Sequence, residues 1–591
     1  MKLFVRTKIW YSAGLVALGI ITALFFFNCQ PAWKLQTSQV PQVVGSIPSD
    51  IKTFNYALSE SEPSIFALTY EGLVKENPIT AEIEPDLAES WNFSEDKLRI
   101  VFTLRTGLRW SDGKPLTTED VVFTYNQIYL NKKIPTVVRD SFLIGETRTL
   151  PKVKRLNDLQ VEFTISEPFA PFLSRTSAAI LPAHALRASV ETNNKEGKSN
   201  FLYTWGTDTP PAQVVVNGSY LLESYIPSQR IIFRRNPYYW KKDGQGNQQP
   251  YIERVIWVVI ESKDTALLQF RSKGLDYIEV WPEYFSLLKR EEKRGNFTIY
   301  NGGPQYRILF MAFNLNKGKR EGKPLVEPYK SRWFNNIRFR KAVAYAIDRQ
   351  KIVNNIYRGL GQVQNSQICM QSPYYLPSEA SLEYKYNPQY AKELLLEAEF
   401  RYDDKGKLLD RDGHVVRFTL FTDAGNISTE SIGVQIKQDL NQIGIQVDFQ
   451  PIAYTALVDK LINSLEWEAH IISFTGSNEP HAAALWYPEG NFHLFNKKPQ
   501  VSQQPLEDRE VADWEERIGQ LYIKAARELD RGKRRVIYAE AQQIIREYLP
   551  LIFLTTPYSL TAVRNRIQGV QYSALEGALW NIDDLRITSN W

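Results

Sequence analysis

Cysteine is nearly absent: only Cys29 and Cys369 occur in a chain of 591 residues. No CxxC pair exists, which excludes thiolate zinc sites and dithiol redox motifs. A disulfide between the two is not expected, because Cys29 closes an apolar N-terminal run and Cys369 lies 340 residues later. Histidine is as sparse, with His184, His414, His470, His481 and His493, and no HExxH pair. His481 and His493 are close enough in sequence to share a metal, but isolated loop histidines are the expectation. A second long apolar run is missing, which excludes a polytopic membrane protein. A charge excess of one sign is missing too: Lys and Arg total 71 against 66 Asp and Glu, a net of +5. Lys2, Arg6 and Lys8 precede the apolar run, and the rest of the chain is left at +2. Such a body lacks the basic face of a dedicated nucleic-acid binder.

Signals of catalysis are equally thin. There is no GxSxG elbow. Gly107-Leu-Arg-Trp-Ser-Asp-Gly113-Lys114-Pro115 approaches a phosphate loop, but five residues separate its glycines and a proline stands where the metal-binding hydroxyl belongs. It is read as a turn. Asp410-Arg-Asp412-Gly413 opens like a calcium loop without the remaining spacing or the terminal Glu, and is read as a solvated hairpin turn. No catalytic residue, metal or cofactor is expected.

What is present is a globular composition, 43% apolar and 23% charged, in a length that suggests two to four domains. Aromatics reach 13%, with 14 Trp, 31 Tyr and 30 Phe, enough to line a large cleft as well as fill cores. The clusters Tyr238-Tyr239-Trp240, Trp281-Pro-Glu-Tyr284-Phe285 and Trp486-Tyr487 fall at turn-rich places. Rings with one wet edge suit an amphipathic ligand, though each cluster taken singly is better explained by packing.

Residues 1–29 read as a targeting segment: a basic start, then an apolar stretch of 15 residues from Ala13 to Phe27, or 19 counted from Ile9. Cys29 at its exit is a lipidation candidate, although Phe26 and Asn28 depart from the aliphatic and small residues such signals prefer. Lipidation, plain cleavage and a retained anchor stay open. All three place the body outside the cytoplasmic membrane.

The body alternates strand and helix signals without internal repeats. Leu98, Ile100, Phe102 and Leu104 alternate with polar residues, as do Leu159, Val161, Phe163 and Ile165, predicting half-buried strands. Thr117-Thr-Glu-Asp120 resembles a capping box. Val255–Ile260 is a continuous apolar run, as in a strand covered on both faces. Phe339, Val343, Ala346 and Ile347 define a helix face, and Asn387-Pro388 caps a helix over 389–400. Residues 418–474 predict βαβαβ: strand 418–421, helix 430–443 ended by Gly444, strand 445–449, helix 454–462 and strand 470–474. Such strands are parallel with right-handed crossovers, and ligands bind beyond their carboxyl ends. The segment there is Thr475-Gly-Ser-Asn-Glu-Pro480, a polar loop and a candidate site.

Several ordered blocks carry a resemblance. They are Pro85-Asp-Leu-Ala-Glu-Ser-Trp91, Phe102-Thr-Leu-Arg105, Trp110-Ser-Asp-Gly-Lys-Pro115, Glu119-Asp-Val121, Asn217-Gly-Ser-Tyr220, Arg235-Asn-Pro-Tyr-Tyr-Trp240, residues 338–349 and Tyr386-Asn-Pro388. From about residue 45 onward the chain resembles the family 5 extracellular solute-binding proteins of bacterial ABC importers, the oligopeptide- and dipeptide-binding group. The resemblance implies an α/β fold of the periplasmic binding protein-like kind (type II, cluster C), with two main lobes, an inserted extra domain and a ligand cleft between lobes. It implies this division: leader 1–29, tether and start of lobe I 30–67, inserted domain II 68–180, lobe I continued 181–305, lobe III 306–554, and the end of lobe I 555–591. It implies capture of a peptide or peptide-like solute by a monomer that closes about a hinge and delivers it to permease subunits. The body would be attached through its leader to the outer face of the cytoplasmic membrane. The implied ligand-binding residues are Phe474, Thr475, Gly476, Ser477, Asn478, Glu479 and Trp486.

One departure bears on the ligand. Peptide binders of this family carry an aspartate two residues before the Asn-Glu-Pro segment, where it holds the peptide amino group; here Asn478-Glu479-Pro480 matches and Gly476 stands in the aspartate's place. Either Glu479 substitutes for that carboxylate or the ligand lacks a free amine. The family also includes nickel, sugar and other small-ligand binders, and five histidines without a ligand cluster do not suit nickel. An exported hydrolytic enzyme, and an envelope sensor or chaperone binding a non-peptide ligand, remain the alternative functions.

Overall fold

Alternation of side chains along strands builds four open sheets of four or five strands each, distributed over two bodies. The computed structural model describes residues 40–59, 63–377, 383–480, 483–499 and 503–588. The leader with Cys29, and His481, lie outside the described residues. No helix among the described residues is long and apolar enough to cross a membrane.

In the proposed division, lobe I contains Gln42–Ile47, Arg254–Val259, Arg230–Arg235 and Tyr220–Ile226 in that spatial order, the first pair parallel and the rest antiparallel. The apolar run 255–260 is covered on both faces. Val255 and Trp257 enter the largest core cluster, while Ile256, Val258 and Ile260 pack on a second one around Phe270, Leu275 and Phe297. The proposed inserted domain carries an antiparallel sheet in the order Ala88–Phe93, Arg99–Leu104, Gln160–Thr164, Lys152–Arg155. Thr117 caps the following helix, Thr118–Phe123, and Asp120 reciprocates by accepting the Thr117 N–H at 2.9 Å. The core of this sheet, with Phe102, Tyr125 and Phe163, is continuous with that of lobe I through Phe54, Tyr220 and Phe233. Burying each such ring stabilises by about 1.5–3 kcal/mol, so these parts are welded into one body.

The second body has its own core, running from Leu309 to Leu554. Its five-stranded sheet has the order Gln446–Ile452, Arg417–Asp423, Ala469–Thr475, Arg307–Phe313, Leu551–Phe553. The first three strands are parallel and the last two join antiparallel. The βαβαβ expectation therefore holds, with longer strands and the first strand in the middle. Helix Ile427–Gln442 ends at Ile443, followed by Gly444 at φ +81°. The expected helix over 454–462 divides into Tyr454–Val458 and a wider turn, Asp459–Ser464, stopped by Leu465 at φ +62°. The helix expected to reach residue 400 runs over Pro388–Glu397, and Glu399 turns left-handed at φ +66°.

The chain crosses between the bodies twice, at residues 304–307 and 553–555. The crossings are tied together: Gln305 N–H donates to the Pro557 carbonyl at 2.9 Å and Leu554 N–H to Leu309 at 3.0 Å. Two adjacent strands are thus the covalent link on which one body would swing against the other.

Candidate functional site

Strand Ala469–Thr475 lies at the centre of the second body's sheet, so its carboxyl end is held on both sides. Thr475 pairs with Arg307, and the Gly476 N–H donates to the Tyr306 carbonyl at 2.8 Å. The loop after this strand is consequently anchored beside the first inter-body crossing.

Asn478 is the loop's structural centre. It is 3% exposed. Its Oδ1 accepts from the Tyr306 hydroxyl at 2.5 Å, and its carbonyl accepts from Ser372 Oγ at 2.6 Å. Its Nδ2 crosses to the other body and donates to Glu76 Oε1 at 2.7 Å. Glu479 faces Arg534 Nη2 at 3.2 Å and accepts from the Tyr538 hydroxyl at 3.1 Å. Burial pushes the Glu479 carboxyl above the usual carboxylate range, and the Arg534 guanidinium opposes that shift. Arg534 also donates to the Tyr374 hydroxyl at 2.8 Å and lies 5.0 Å from that ring's centroid.

Asn478 and Glu479 line a cavity of about 470 Å³ between the bodies. Phe93, Phe169, Leu173, Glu76, Glu82 and Lys97 wall it from the proposed inserted domain; Tyr374, Leu529, Arg531 and Arg534 wall it from the other side. The lining combines apolar rings with six charged side chains, a mixture that suits an amphipathic solute.

The other expected residues are placed differently. Phe474 is half-buried, its ring 5.4 Å from that of Phe310 and 6.3 Å from that of Phe492. Thr475 and Ser477 are exposed, and Ser477 Oγ donates to the Glu479 carbonyl at 2.7 Å. Gly476 packs against the buried Cys369 thiol, whose pKa burial pushes up to about 12. Trp486 is 1% exposed and stacks on Tyr522 with centroids 6.0 Å apart, inside the core. The other aromatic clusters serve packing and polar bonding: Tyr239 donates to Asp583 at 2.9 Å, Trp240 donates to Glu71 at 2.6 Å, and Trp281 holds Lys263 over its ring at 3.2 Å.

Glu76, Arg534, Tyr374 and Phe93 went unseen in the sequence. They come from four separate segments, and none belongs to a motif; only the 3.6-residue period, which sets Arg531 and Arg534 on one side of helix Arg531–Tyr548, offered a hint.

The possible metal ligands Asp410, Asp412 and His414 have their ligand atoms within 4.8 Å of one another. The turn already uses them. Asp410 accepts from Trp333 Nε1 at 3.1 Å and from the N–H groups of Asp412 and His414 at 3.0 and 2.8 Å. Asp412 pairs with Arg332, and His414 stacks on Tyr329.

Residues 82–494 match the family model described as bacterial extracellular solute-binding proteins, family 5 middle. A relative from Deinococcus radiodurans named "Probable ABC transporter-binding protein" is 28% identical over 583 residues, covering 94% of each chain. The oligopeptide-binding protein AppA from Bacillus subtilis, solved with a nonapeptide, superposes with a TM-score of 0.70 at 23% identity, covering 93% of this chain and 100% of that one. The periplasmic binding protein MelB from Agrobacterium fabrum, solved with stachyose, gives a TM-score of 0.74 at 20% identity, covering 93% and 85%. The two structural likenesses establish a shared fold, that of type II periplasmic binding proteins.

Proposed function

Because the chain belongs to the bacterial extracellular solute-binding proteins of family 5, we propose that it captures a peptide or peptide-like solute outside the cytoplasmic membrane and delivers it to the permease of an ABC importer. The observation that carries this reading is the loop after Ala469–Thr475, which enters a cavity walled by both bodies. A ligand there touches both and favours the closed arrangement.

The Arg534 guanidinium 3.2 Å from Glu479 supports the reading that Glu479 does not replace the carboxylate missing at position 476. That favours a ligand without a free amine at this point, such as a capped or modified peptide. Attachment to the membrane would run through the apolar leader or a lipid on Cys29; one acyl chain of myristoyl size holds only marginally, whereas several chains or a spanning helix hold firmly.

Native mass spectrometry of the full chain, purified without refolding, tests the reading. A retained peptide or peptide-like mass is expected. A retained oligosaccharide or metal chelate would overturn the ligand class, and hydrolysis of added peptides would overturn the binding role. Mass analysis of the mature N-terminus decides the mode of attachment.

A further inference from the structure

The hairpin that reaches across the cavity has little of its own to hold it. Val74–Glu76 and Ile83–Pro85 pair only with each other, as a two-stranded sheet, and such a hairpin is marginal by itself. It lines the cavity with Glu76, Ala81, Glu82 and Ile83, and Glu76 accepts from the Asn478 amide of the opposite body at 2.7 Å. Leu73 and Val74 are fixed in the core. The Leu87 and Ala88 N–H groups donate to the Gly72 and Leu73 carbonyls at 3.2 and 2.9 Å, so the residues on either side of the hairpin form its base. Two residues of that base are acids, Glu71 and Asp86.

Protons and cations are short around this pair. The Tyr239 hydroxyl lies 2.5 Å from Glu71 Oε1 and 2.9 Å from Asp583 Oδ2. It has one proton and can donate to only one of them. When it donates to Asp583, Glu71 must keep a proton of its own to meet the tyrosine oxygen. Trp240 Nε1 donates to Glu71 Oε2 at 2.6 Å. Asp86 is buried and faces Asp583, Lys75, Lys241 and Arg105. Each of these cations is shared. Lys75 pairs with Glu84 at 3.8 Å, and Lys241 donates to Asp583 at 3.2 Å and also faces Asp584. Arg105 lies over the Trp240 ring and donates through Nε to the Asp86 carbonyl at 2.6 Å. Five acids, Glu71, Glu84, Asp86, Asp583 and Asp584, thus stand against three bases, Lys75, Arg105 and Lys241. Burial raises the carboxyls of both Glu71 and Asp86, the latter to about 7, and Asp583 adds to the rise.

We infer that Glu71 and Asp86 form a proton-operated catch at the base of the hairpin: with a proton on the pair the hairpin stays docked against Asn478, and when that proton is lost the hairpin lets go and opens the cavity. Two charged carboxylates in one buried base repel and need water, which reaches them when the outer hairpin swings about Val74. A carboxyl in the released base titrates near 4, so docking is strongest below that value and weakens as pH rises to the docked value near 7. Control of the solute by this catch rests on the cavity being the solute site; the catch itself does not.

Hydrogen exchange on the solute-free, full-length chain at pH 5 and pH 8, corrected for intrinsic rates, tests it. The amides of residues 75–84 should be less protected than those of Arg99–Leu104 at both values, the mark of a local opening. Their protection should fall about tenfold or more from pH 5 to pH 8, because a released proton is worth up to tenfold per pH unit. Asp86→Asn and Glu71→Gln should each cut that fall, Asp86→Asn to about threefold or less; if one variant does not fold, the other decides. A hairpin as protected as Arg99–Leu104 overturns the inference, as does protection that does not change with pH, or a fall that survives in the folded variants. Any of these leaves the peptide reading in place. A non-peptide mass retained in native mass spectrometry overturns that reading and leaves the catch in place.

Discussion

The sulfur of Cys369 occupies the space that a β-carbon on Gly476 would need. A side chain at position 476 would have to displace that thiol, which comes from a segment 107 residues away. Overpacking of this kind costs roughly 1–3 kcal/mol. Gly476→Asp alone should lower the thermal midpoint and create no new binding. With Cys369→Ala the same aspartate should be tolerated, recovering most of the lost stability and introducing affinity for free-amine peptides. Thermal melts and calorimetry on the two single variants and the double variant check this. A single Gly476→Asp variant as stable as the parent would show that the thiol does not close the position.

Acidic residues also gather around Glu71, Asp86 and Asp583. Glu71 accepts from Trp240, and Asp583 accepts from Tyr239 and from Lys241 at 3.2 Å. Burial raises Asp86 to about 7, with Lys75 pulling it down and Asp583 pushing it up. A carboxyl whose pKa is higher folded than unfolded contributes full stability below its unfolded value, near 4, and loses it as pH rises through the folded one. Stability should fall between about pH 4 and pH 7, and Asp86→Asn should flatten that slope. Urea midpoints at pH 5 and pH 8 measure it; an unchanged slope in the variant would place the titration elsewhere in the cluster.

Closure should respond to the seam beside the cavity. Arg527 donates to both oxygens of Glu167 at 2.9 and 2.8 Å, and the neighbouring Ala170 N–H donates to the Ala526 carbonyl at 2.7 Å. The ion pair is partly exposed, so it is worth about 0.2–1 kcal/mol, or roughly 1.4- to 5-fold in an open–closed equilibrium. Arg527→Ala should raise the ligand-free radius of gyration, and saturating ligand should restore it. An unchanged small-angle scattering radius in the variant would mean that the seam does not bias closure.

A buried pair stiffens the wall behind the candidate loop. His493 Nδ1 meets the Leu485 carbonyl at 2.9 Å and Nε2 meets Glu515 at 3.0 Å, with both side chains almost fully enclosed. Removing one partner from such a pair strands the other and costs about 3–5 kcal/mol. His493→Leu should lose that much in denaturant unfolding, and adding Glu515→Met should recover part of it. A loss under 1 kcal/mol in the single variant would show that Asn496, which also donates to Glu515 at 2.8 Å, suffices.

Local patterns carried most of the architecture. The period-two runs at 98–104 and 159–165 and the Thr117 capping box depend on residues within one or two turns of each other and form as their spacing predicts, and the parallel unit over 418–474 forms with its second helix divided. Of the seven proposed ligand residues, Asn478 and Glu479 reach the cavity. Trp486 illustrates the limit: an aromatic residue near a polar turn looks the same in sequence whether it faces a cleft or, as here, stacks on Tyr522.

The sequence by itself determined the alternation of strands and helices, the position of the loop after Ala469–Thr475 and the family, because these are written in short-range periodicity and ordered motifs. Tertiary structure alone decided which groups meet at the cavity. Glu76 and Asn478 are 402 positions apart, and the hydrogen bond between them exists only because two crossings at 304–307 and 553–555 bring the bodies face to face. No periodic signal encodes such a meeting. The partners lie on different elements of different bodies, and their distance is set by how those bodies pack.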